Sequence, residues 1–297
     1  MACYAPLTAY RGGSTGVTFN RNHALDPTMP LKLACGQCVG CRLEKSRQWA
    51  VRCIHEAKQW EFNCFLTLTY NDDNLPQDMS LNPKHMTDFW KRLRKKYGSG
   101  IRYYYCGEYG ERSGRPHYHA CVFNHHFPDQ TLWKMSRENS LYRSESLEEL
   151  WPYGFSSIGE VTMQSAAYVA RYIMKKRTGE HAEDWYRFVD SDGVVHNRHP
   201  EFVRMSRRPG IGSDWIRKYS RDVYSGDFVV IDGRKFRPPR FYDDQLEEEE
   251  KQKLKRKRKK DAERHADNNT PERRRVREEL HIRRAERLMR PEGKTEL

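Results

Sequence analysis

Three side chains in one short stretch of this chain could share a metal ion. His117 and His119 flank Tyr118, and the run Ala120-Cys121-Val122-Phe123 follows at once. Side chains alternate faces along a strand, so the two imidazoles point the same way and could hold one divalent cation. The segment upstream, residues 101–108, is rich in Tyr and also reads as a strand. A turn-prone stretch from Gly110 to Gly114 joins the two. In the hairpin this predicts, Glu108 falls opposite His117 or His119, which makes it the third expected ligand. Glu111, nearer the turn, is the reserve. An H-x-H pair alone is as easily one satisfied core histidine and one exposed histidine, so the reading depends on what else the chain carries.

Two further clusters carry chemistry. Cys35-Gly36-Gln37-Cys38-Val39-Gly40-Cys41 holds two overlapping C-x-x-C units whose glycines let a backbone fold around an ion. It is a zinc knuckle short of one ligand, which Cys3, Cys53, His55 or Cys64 could supply. The alternative is a set of reduced thiols packing a turn at a helix start. Residues 164–176 are helical by composition, with Ser165 as the expected N-cap. Tyr168 and Tyr172 lie one turn apart on one face, and Arg171 and Lys175 each stand three residues beyond a phenol. Aromatic residues at this spacing otherwise pack into a core.

The body that must position these groups is basic. The 297 residues carry a formal charge of +13 and a pI near 9.3. Residues 243–297 hold 18 Lys and Arg against 15 Asp and Glu, net +3, which leaves +10 for residues 1–242. With 12% aromatic residues, that balance suits a nucleic acid better than a membrane surface. No apolar run approaches a membrane span and no signal pattern opens the chain, so the expected location is the cytoplasm where it is made. There, eight cysteines are thiols or ligands rather than disulfides.

Periodicity sketches the elements. Residues 1–34 show none and are expected to be irregular. A helix from Arg42 to Trp60 should bury Ala50, Ile54 and Ala57 and expose Arg42, Lys45, Arg47 and Arg52. A second, opened by Asn82-Pro83 and ended at Gly98, should bury Met86, Phe89, Trp90 and Leu93 beneath a basic patch that includes Arg92 and Lys95. Residues 125–150 read as a polar, helical insertion whose His125 and His126 are given no metal. Gly154 and Gly159 should admit a neighbouring backbone closely. Ser213-Asp214 caps a short helix through Tyr219, residues 228–236 form a hairpin with a type I′ turn at Asp232-Gly233, and the folded part ends at Arg237–Arg240. The expected fold is α+β. Strands near 62–70, 101–109, 116–123 and 155–161 make a central antiparallel sheet with helices on its faces, and the Tyr168 helix packs beside the H-x-H strand. The expected divisions are a Cys-rich segment and helix (1–60), a nuclease-like domain (61–180), the rest of the body (181–242) and a charged tail (243–297) that is either a solvated helix or disordered.

In combination, a β-rich strand (Phe65–Tyr70), an H-x-H strand and Tyr-x-x-x-Tyr-x-x-Lys resemble the three motifs of the HUH-type rolling-circle replication initiators. Two tyrosines rather than one look like the initiators of the microviruses. The phrases Cys-Gly-Gln-Cys-Val-Gly-Cys-Arg, Cys-Gly-Glu-Tyr-Gly-Glu and Tyr-Val-Ala-Arg-Tyr-Ile-Met-Lys-Lys are similar to the gokushovirus replication initiators, a likeness covering roughly residues 35–240. Tyr118 stands where the family name implies a bulky aliphatic residue. The resemblance implies a site-specific endonuclease and strand transferase acting on single-stranded or origin DNA. Tyr168 and Tyr172 would be the nucleophiles, Lys175 would stabilise developing charge, and His117, His119 and Glu108 would hold Mn²⁺ or Mg²⁺. The products would be a 5′-phosphotyrosine link and a free 3′-OH. Arg171, Lys176, Arg92 and Lys95 are the cations expected on DNA, and a host polymerase and helicase the expected partners. Two other classes fit parts of the pattern: a non-catalytic single-strand binder with a structural zinc, and a phosphoesterase using water.

Overall fold

The computed structural model describes residues 3–14, 16–110, 113–135, 140–171, 182–190 and 192–288. It divides into two compact units, residues 46–245 and residues 1–45 with 246–297.

The larger unit is built on a seven-stranded antiparallel sheet, in the order β12-β5-β6-β4-β9-β8-β7. The strands are β4 (Asn63–Tyr70), β5 (Arg102–Tyr109), β6 (Pro116–Phe123), β7 (Thr131–Met135), β8 (Ser140–Arg143), β9 (Gly154–Gly159) and β12 (Phe202–Met205). The α+β expectation and all four expected strands are therefore present. Alternation in β4 and β6 decides what each face meets. Leu66, Leu68, Tyr70, Tyr118, Ala120 and Val122 point to one side, where they pack on helix α2 (Pro83–Tyr97) and α3 (Glu145–Leu150). Cys121, Phe123, Tyr104 and Cys106 point to the other, against α1 (Val39–Ala57) and α4 (Met163–Arg171). Each such buried aliphatic or aromatic side chain contributes about 1.5–3 kcal/mol relative to exposure.

Helix α2 forms where its signals place it. The Asn82 side chain accepts from Lys84 N–H, Pro83 fills the first position, and Gly98 leaves the helix at φ 101°. Its buried residues are Met86, Phe89, Trp90 and Leu93. Tyr118, the middle residue of the histidine motif, faces this side, and its hydroxyl accepts from Asn82 N–H at 2.8 Å and meets Tyr70 Oη at 3.0 Å. An aromatic hydroxyl there satisfies the head of α2, which an aliphatic residue would not.

Several local expectations are corrected. Residues 1–34 contain β1 (Leu7–Arg11), β2 (Val17–Thr18) and β3 (Leu31–Leu33), a small sheet whose strands are too short to show a period. The 125–150 insertion is helical only in α3. Its middle is the β7–β8 hairpin, which extends the sheet and carries a bulge between Leu132 and Lys134. Strand β7 is exposed along its whole length, with Leu132, Trp133 and Met135 all turned to solvent. Arg52 is buried, not on an exposed face. Its guanidinium stacks between the Trp49 and Phe241 rings at 4.0 and 3.7 Å, and its Nε donates to the Ile211 carbonyl. Of the two glycines, only Gly154 is required: a Cβ there would stand 2.2 Å from Asn71 N. At Gly159 the nearest contact would be an ordinary 3.6 Å.

Beyond the sheet, β10 (Arg187–Val189) pairs with β11 (Val195–Asn197), and α5 (Ala182–Tyr186) precedes them. Helix α6 (Ser213–Gly226) runs past the expected end at Tyr219, where the backbone kinks, and Gly212 rather than Ser213 holds the N-cap position. Strands β13 (Val229–Ile231) and β14 (Arg234–Phe236) turn at Asp232 and Gly233, both at positive φ, as a type I′ turn requires. The fold continues past Arg240 through α7 (Arg240–Asp243), whose Tyr242 is fully buried with Val51, Ile54, Ile216 and Ile231. In the smaller unit, α8 (Glu248–Arg264) and α9 (Pro271–Leu288) are solvated helices with mostly exposed side chains among the described residues. Among the described residues no helix is long and apolar enough to cross a membrane.

Candidate metal centre and active site

Strands β5 and β6 pair so that Glu108 lies directly across from His117 and Cys106 across from His119. Glu108, His117 and His119 thus share the face that carries α4. Their ligand-type atoms all lie within 4.8 Å of one another. Both imidazole Nε2 atoms converge on Glu108 Oε1, His117 at 2.7 Å and His119 at 2.9 Å. Glu108 is 1% exposed and His119 7%, so the group sits below the surface.

The outer nitrogen of each ring is held separately. His117 Nδ1 lies 3.1 Å from the Arg115 carbonyl, which can only accept, so Nδ1 carries a proton there. The same carbonyl accepts from Gly110 N–H and closes the hairpin. His119 Nδ1 lies 3.0 Å from Thr67 Oγ1, on the residue β4 places directly opposite His119. With both Nδ1 atoms engaged outward, the neutral rings present Nε2 lone pairs inward, the arrangement metal-binding histidines adopt. Burial by itself would raise the Glu108 carboxyl, but hydrogen bonds and charge from His117 and His119 outweigh it and hold the group below its ordinary value. Two imidazoles and an ionised carboxylate form a donor set that fits a divalent cation such as Mn²⁺ or Mg²⁺.

Helix α4 aims a phenol at this group. Thr162 and Ser165 cap it reciprocally: Ser165 N–H donates to Thr162 Oγ1 at 3.1 Å, and Thr162 N–H to Ser165 Oγ at 2.8 Å. The cap is therefore Thr162, with Ser165 its partner in the first turn. Ala166, Val169 and Ala170 bury one side of the helix against the sheet. Tyr168 sets its ring edge-on to His119 with centroids 4.9 Å apart, and its hydroxyl donates to Glu108 Oε1 at 3.4 Å. The Arg171 guanidinium lies 5.9 Å from the Tyr168 ring centroid. Tyr172, Lys175 and Lys176, and the reserve ligand Glu111, lie outside the described residues.

The remaining expected residues fall elsewhere. Helix α2 covers the opposite face of the sheet, so Arg92 and Lys95 are not brought to the metal group. Arg92 donates from Nε and Nη2 to the Leu150 carbonyl, and Lys95 is exposed. In the other unit, Cys35, Cys38 and Cys41 cluster with Cys3, all four sulfurs within 4.8 Å of one another. Of the other candidates for a fourth ligand, Cys53 and Cys64 are buried in the two sheet cores, and His55 stacks on Trp215 and bonds to Tyr242 Oη. Thr67 is a site residue that sequence reasoning misses; the Thr-Leu-Thr alternation in β4 is the signal that could find it.

Known proteins resemble the chain along most of its length. A family profile described as replication-associated protein ORF2 matches residues 63–177, which contain the histidine motif, Glu108 and Tyr168. Replication-associated protein VP4 of Bdellovibrio phage phiMH2K is 32% identical over 255 residues, covering 82% of this chain and 76% of that protein. Replication-associated protein ORF2 of Spiroplasma virus 4 is 32% identical over 279 residues, covering 84% and 81%. Replication-associated protein ORF4 of Chlamydia phage 1 is 32% identical over 234 residues, covering 72% and 53%. No solved structure matches.

Proposed function

The chain belongs to the microvirus-type replication-associated proteins of phages, and from that premise we propose that it starts rolling-circle DNA replication by nicking one strand with a tyrosine. Its role lies in phage DNA replication. The observation that carries the finer reading is the phenol of Tyr168, held over the Glu108, His117 and His119 group by a capped helix.

The chemistry follows from these positions. A phenol with a pKa of about 10 is about one part in a thousand ionised at neutral pH, so the site must favour the phenolate and the phosphorus must be made a better electrophile. A divalent cation held by Glu108, His117 and His119 would supply Lewis-acid polarisation of the scissile phosphate. Glu108, ionised, accepts from the Tyr168 hydroxyl and keeps its oxygen turned toward that phosphate. Arg171 adds positive charge beside the ring, where negative charge develops. Attack by Tyr168 Oη on phosphorus forms the Tyr–O–P bond and breaks P–O3′, and the departing oxygen takes a proton to become the free 3′-OH. The phosphodiester survives as a 5′-phosphotyrosine, so a later 3′-OH can reseal the strand without ATP. Tyr172, one turn on, would serve the second transfer of a replication round, and Lys175 would stabilise its charge. The free 3′-OH is a primer for a host polymerase, with a host helicase opening the duplex in the cytoplasm of the bacterial cell.

A single assay tests this. The protein is incubated with Mn²⁺ and a single-stranded origin oligonucleotide labelled on the 3′ side of the nick, then run on a denaturing gel. Label should stay with the protein, and mass spectrometry should find the adduct on Tyr168 or Tyr172. Tyr168→Phe and Tyr172→Phe should each retain some cleavage, and the double variant none. Cleavage that leaves no label on the protein, or that persists in the double variant, rejects tyrosine attack in favour of water.

A further inference from the structure

The four cysteines of the smaller unit stand apart from this chemistry and come from two distant parts of the chain. Cys35 and Cys38 lie in the turn before α1, Cys41 in its first turn, and Cys3 at the start of the chain. Cys3 Sγ is 3.6 Å from Cys35 Sγ, and Cys35 Sγ is 4.0 Å from Cys41 Sγ. For one tetrahedral ion with metal–sulfur bonds of about 2.3 Å, neighbouring sulfurs stand about 3.8 Å apart. An iron–sulfur cluster, whose irons are spaced by bridging sulfides, needs its cysteines farther apart.

The backbone is arranged around the sulfurs as well. Tyr4 N–H donates to Cys38 Sγ at 3.4 Å, Cys35 N–H to Cys3 Sγ at 3.3 Å, and Cys38 N–H to Cys35 Sγ at 3.3 Å. Amide donors on sulfur offset thiolate charge, which four clustered neutral thiols would not require. Gly36, at φ 76°, supplies the left-handed turn that folds the first C-x-x-C back on itself.

We propose that Cys3, Cys35, Cys38 and Cys41 bind one zinc ion in a closed, structural site, and that this site anchors the C-terminal helices. Four thiolates leave no position for water or substrate, so the ion takes no part in nicking. The coupling runs through Tyr4, the residue after Cys3. Its amide is on Cys38 Sγ, while its hydroxyl meets His281 Nδ1 of α9 at 2.7 Å and its ring packs edge-on against the His281 ring. Helices α8 and α9 have few apolar side chains to hold them, so fixing Tyr4 fixes the contact on which α9 rests.

Elemental analysis of the purified full chain should find one zinc per chain, and replacement by Co²⁺ should give the intense thiolate-to-metal absorption of a tetrahedral four-sulfur site. Cys3→Ser should weaken that absorption and lower metal affinity at least tenfold, whereas His55→Gln should change neither. Alkylation of the unaltered protein gives an answer that needs no variant: the four cysteines should react together and only after chelation. Limited proteolysis then reads the coupling. Chelation should expose residues 248–288 to cleavage at least tenfold faster, and Tyr4→Phe should do the same while keeping its zinc. Protein with no zinc that takes up no cobalt, iron in place of zinc, or Cys3 alkylating freely in the metal-loaded chain would overturn the site. Unchanged proteolysis after chelation would overturn the anchoring role.

Discussion

Thr67→Val tests whether the His119 ring is held in a metal-ready state. The substitution keeps the shape of the side chain and removes only the oxygen that lies 3.0 Å from His119 Nδ1. In the unaltered protein that oxygen accepts the Nδ1 proton, which leaves the Nε2 lone pair facing Glu108. Without it, a buried ring N–H loses its acceptor, at a cost of about 1–3 kcal/mol. The ring escapes that cost by moving its proton to Nε2, where Glu108 Oε1 waits at 2.9 Å. Binding a cation must then reverse the exchange. At about 1.4 kcal/mol per factor of ten, the expected loss is about 10- to 100-fold in metal affinity, the range known for residues that orient metal-binding histidines. Calorimetric titration with Mn²⁺ measures it directly. Nicking should show the same displacement in metal dependence, recover most of its rate at saturating Mn²⁺, and be spared in Thr67→Ser. Equal Mn²⁺ affinity in Thr67→Val and the unaltered protein would refute the reasoning, because His119 would then need no orienting partner.

Other outcomes follow from single contacts. Gly154→Ala drives a methyl to 2.2 Å from Asn71 N and 2.5 Å from the Thr69 carbonyl, neither of which can yield, so denaturant unfolding should show a loss above about 4 kcal/mol; a loss below about 1 kcal/mol would mean β9 shifts freely. Tyr118→Phe should cost about 1–3 kcal/mol by stripping the acceptor from Asn82 N–H, with Mn²⁺ affinity unchanged since it lies on the far side of β6; weakened metal binding would show that the two faces communicate. Burial holds His55 neutral with its pKa lowered from 6.5 to about 3. The unfolded chain therefore binds a proton that the native state refuses, and stability present above pH 6.5 is lost as pH falls toward 3, amounting to about 2 kcal/mol at pH 5. Chemical denaturation from pH 7 to 5 should be flatter in His55→Gln; an identical slope assigns the acid sensitivity elsewhere.

How much of this is legible in the sequence depends on the range of the signal. Helix α2 can be read to within a residue because its cap, first-turn proline and terminal glycine are local. The sheet-forming strands can be read because β4 and β6 are long and rich in β-formers. The β7–β8 hairpin reads as helix because an exposed edge strand has no buried face to impose alternation. Arg52 reads as a surface residue because helical spacing counts a charge as outward. It does not register two aromatic rings, one from 189 residues farther along, closing over the guanidinium. The site divides in the same way. Glu108 is within reach because a short hairpin fixes its register, whereas Thr67 needs the β4–β6 pairing and Cys3 needs a contact spanning 32 residues.

The exposed outer strand has a consequence for how the protein behaves at high concentration. Strand β7 pairs with β8 on one side, and among the described residues no strand pairs with the other, which offers its amides and carbonyls beside exposed Leu132, Trp133 and Met135. Such an edge is a template for a second chain and a route to aggregation. Lys134, set among the apolar residues, and the bulge at Leu132 are the two features that oppose it, one by adding charge where strands would meet, the other by breaking the regular spacing an incoming strand would need. A replication protein must stay dispersed to reach DNA, and this short segment, remote in the sheet order from the tyrosine and histidines, sets the concentration at which it can do so. Replacing Trp133 or Met135 by a charged residue is the change that would raise that limit without touching the strands that carry the chemistry.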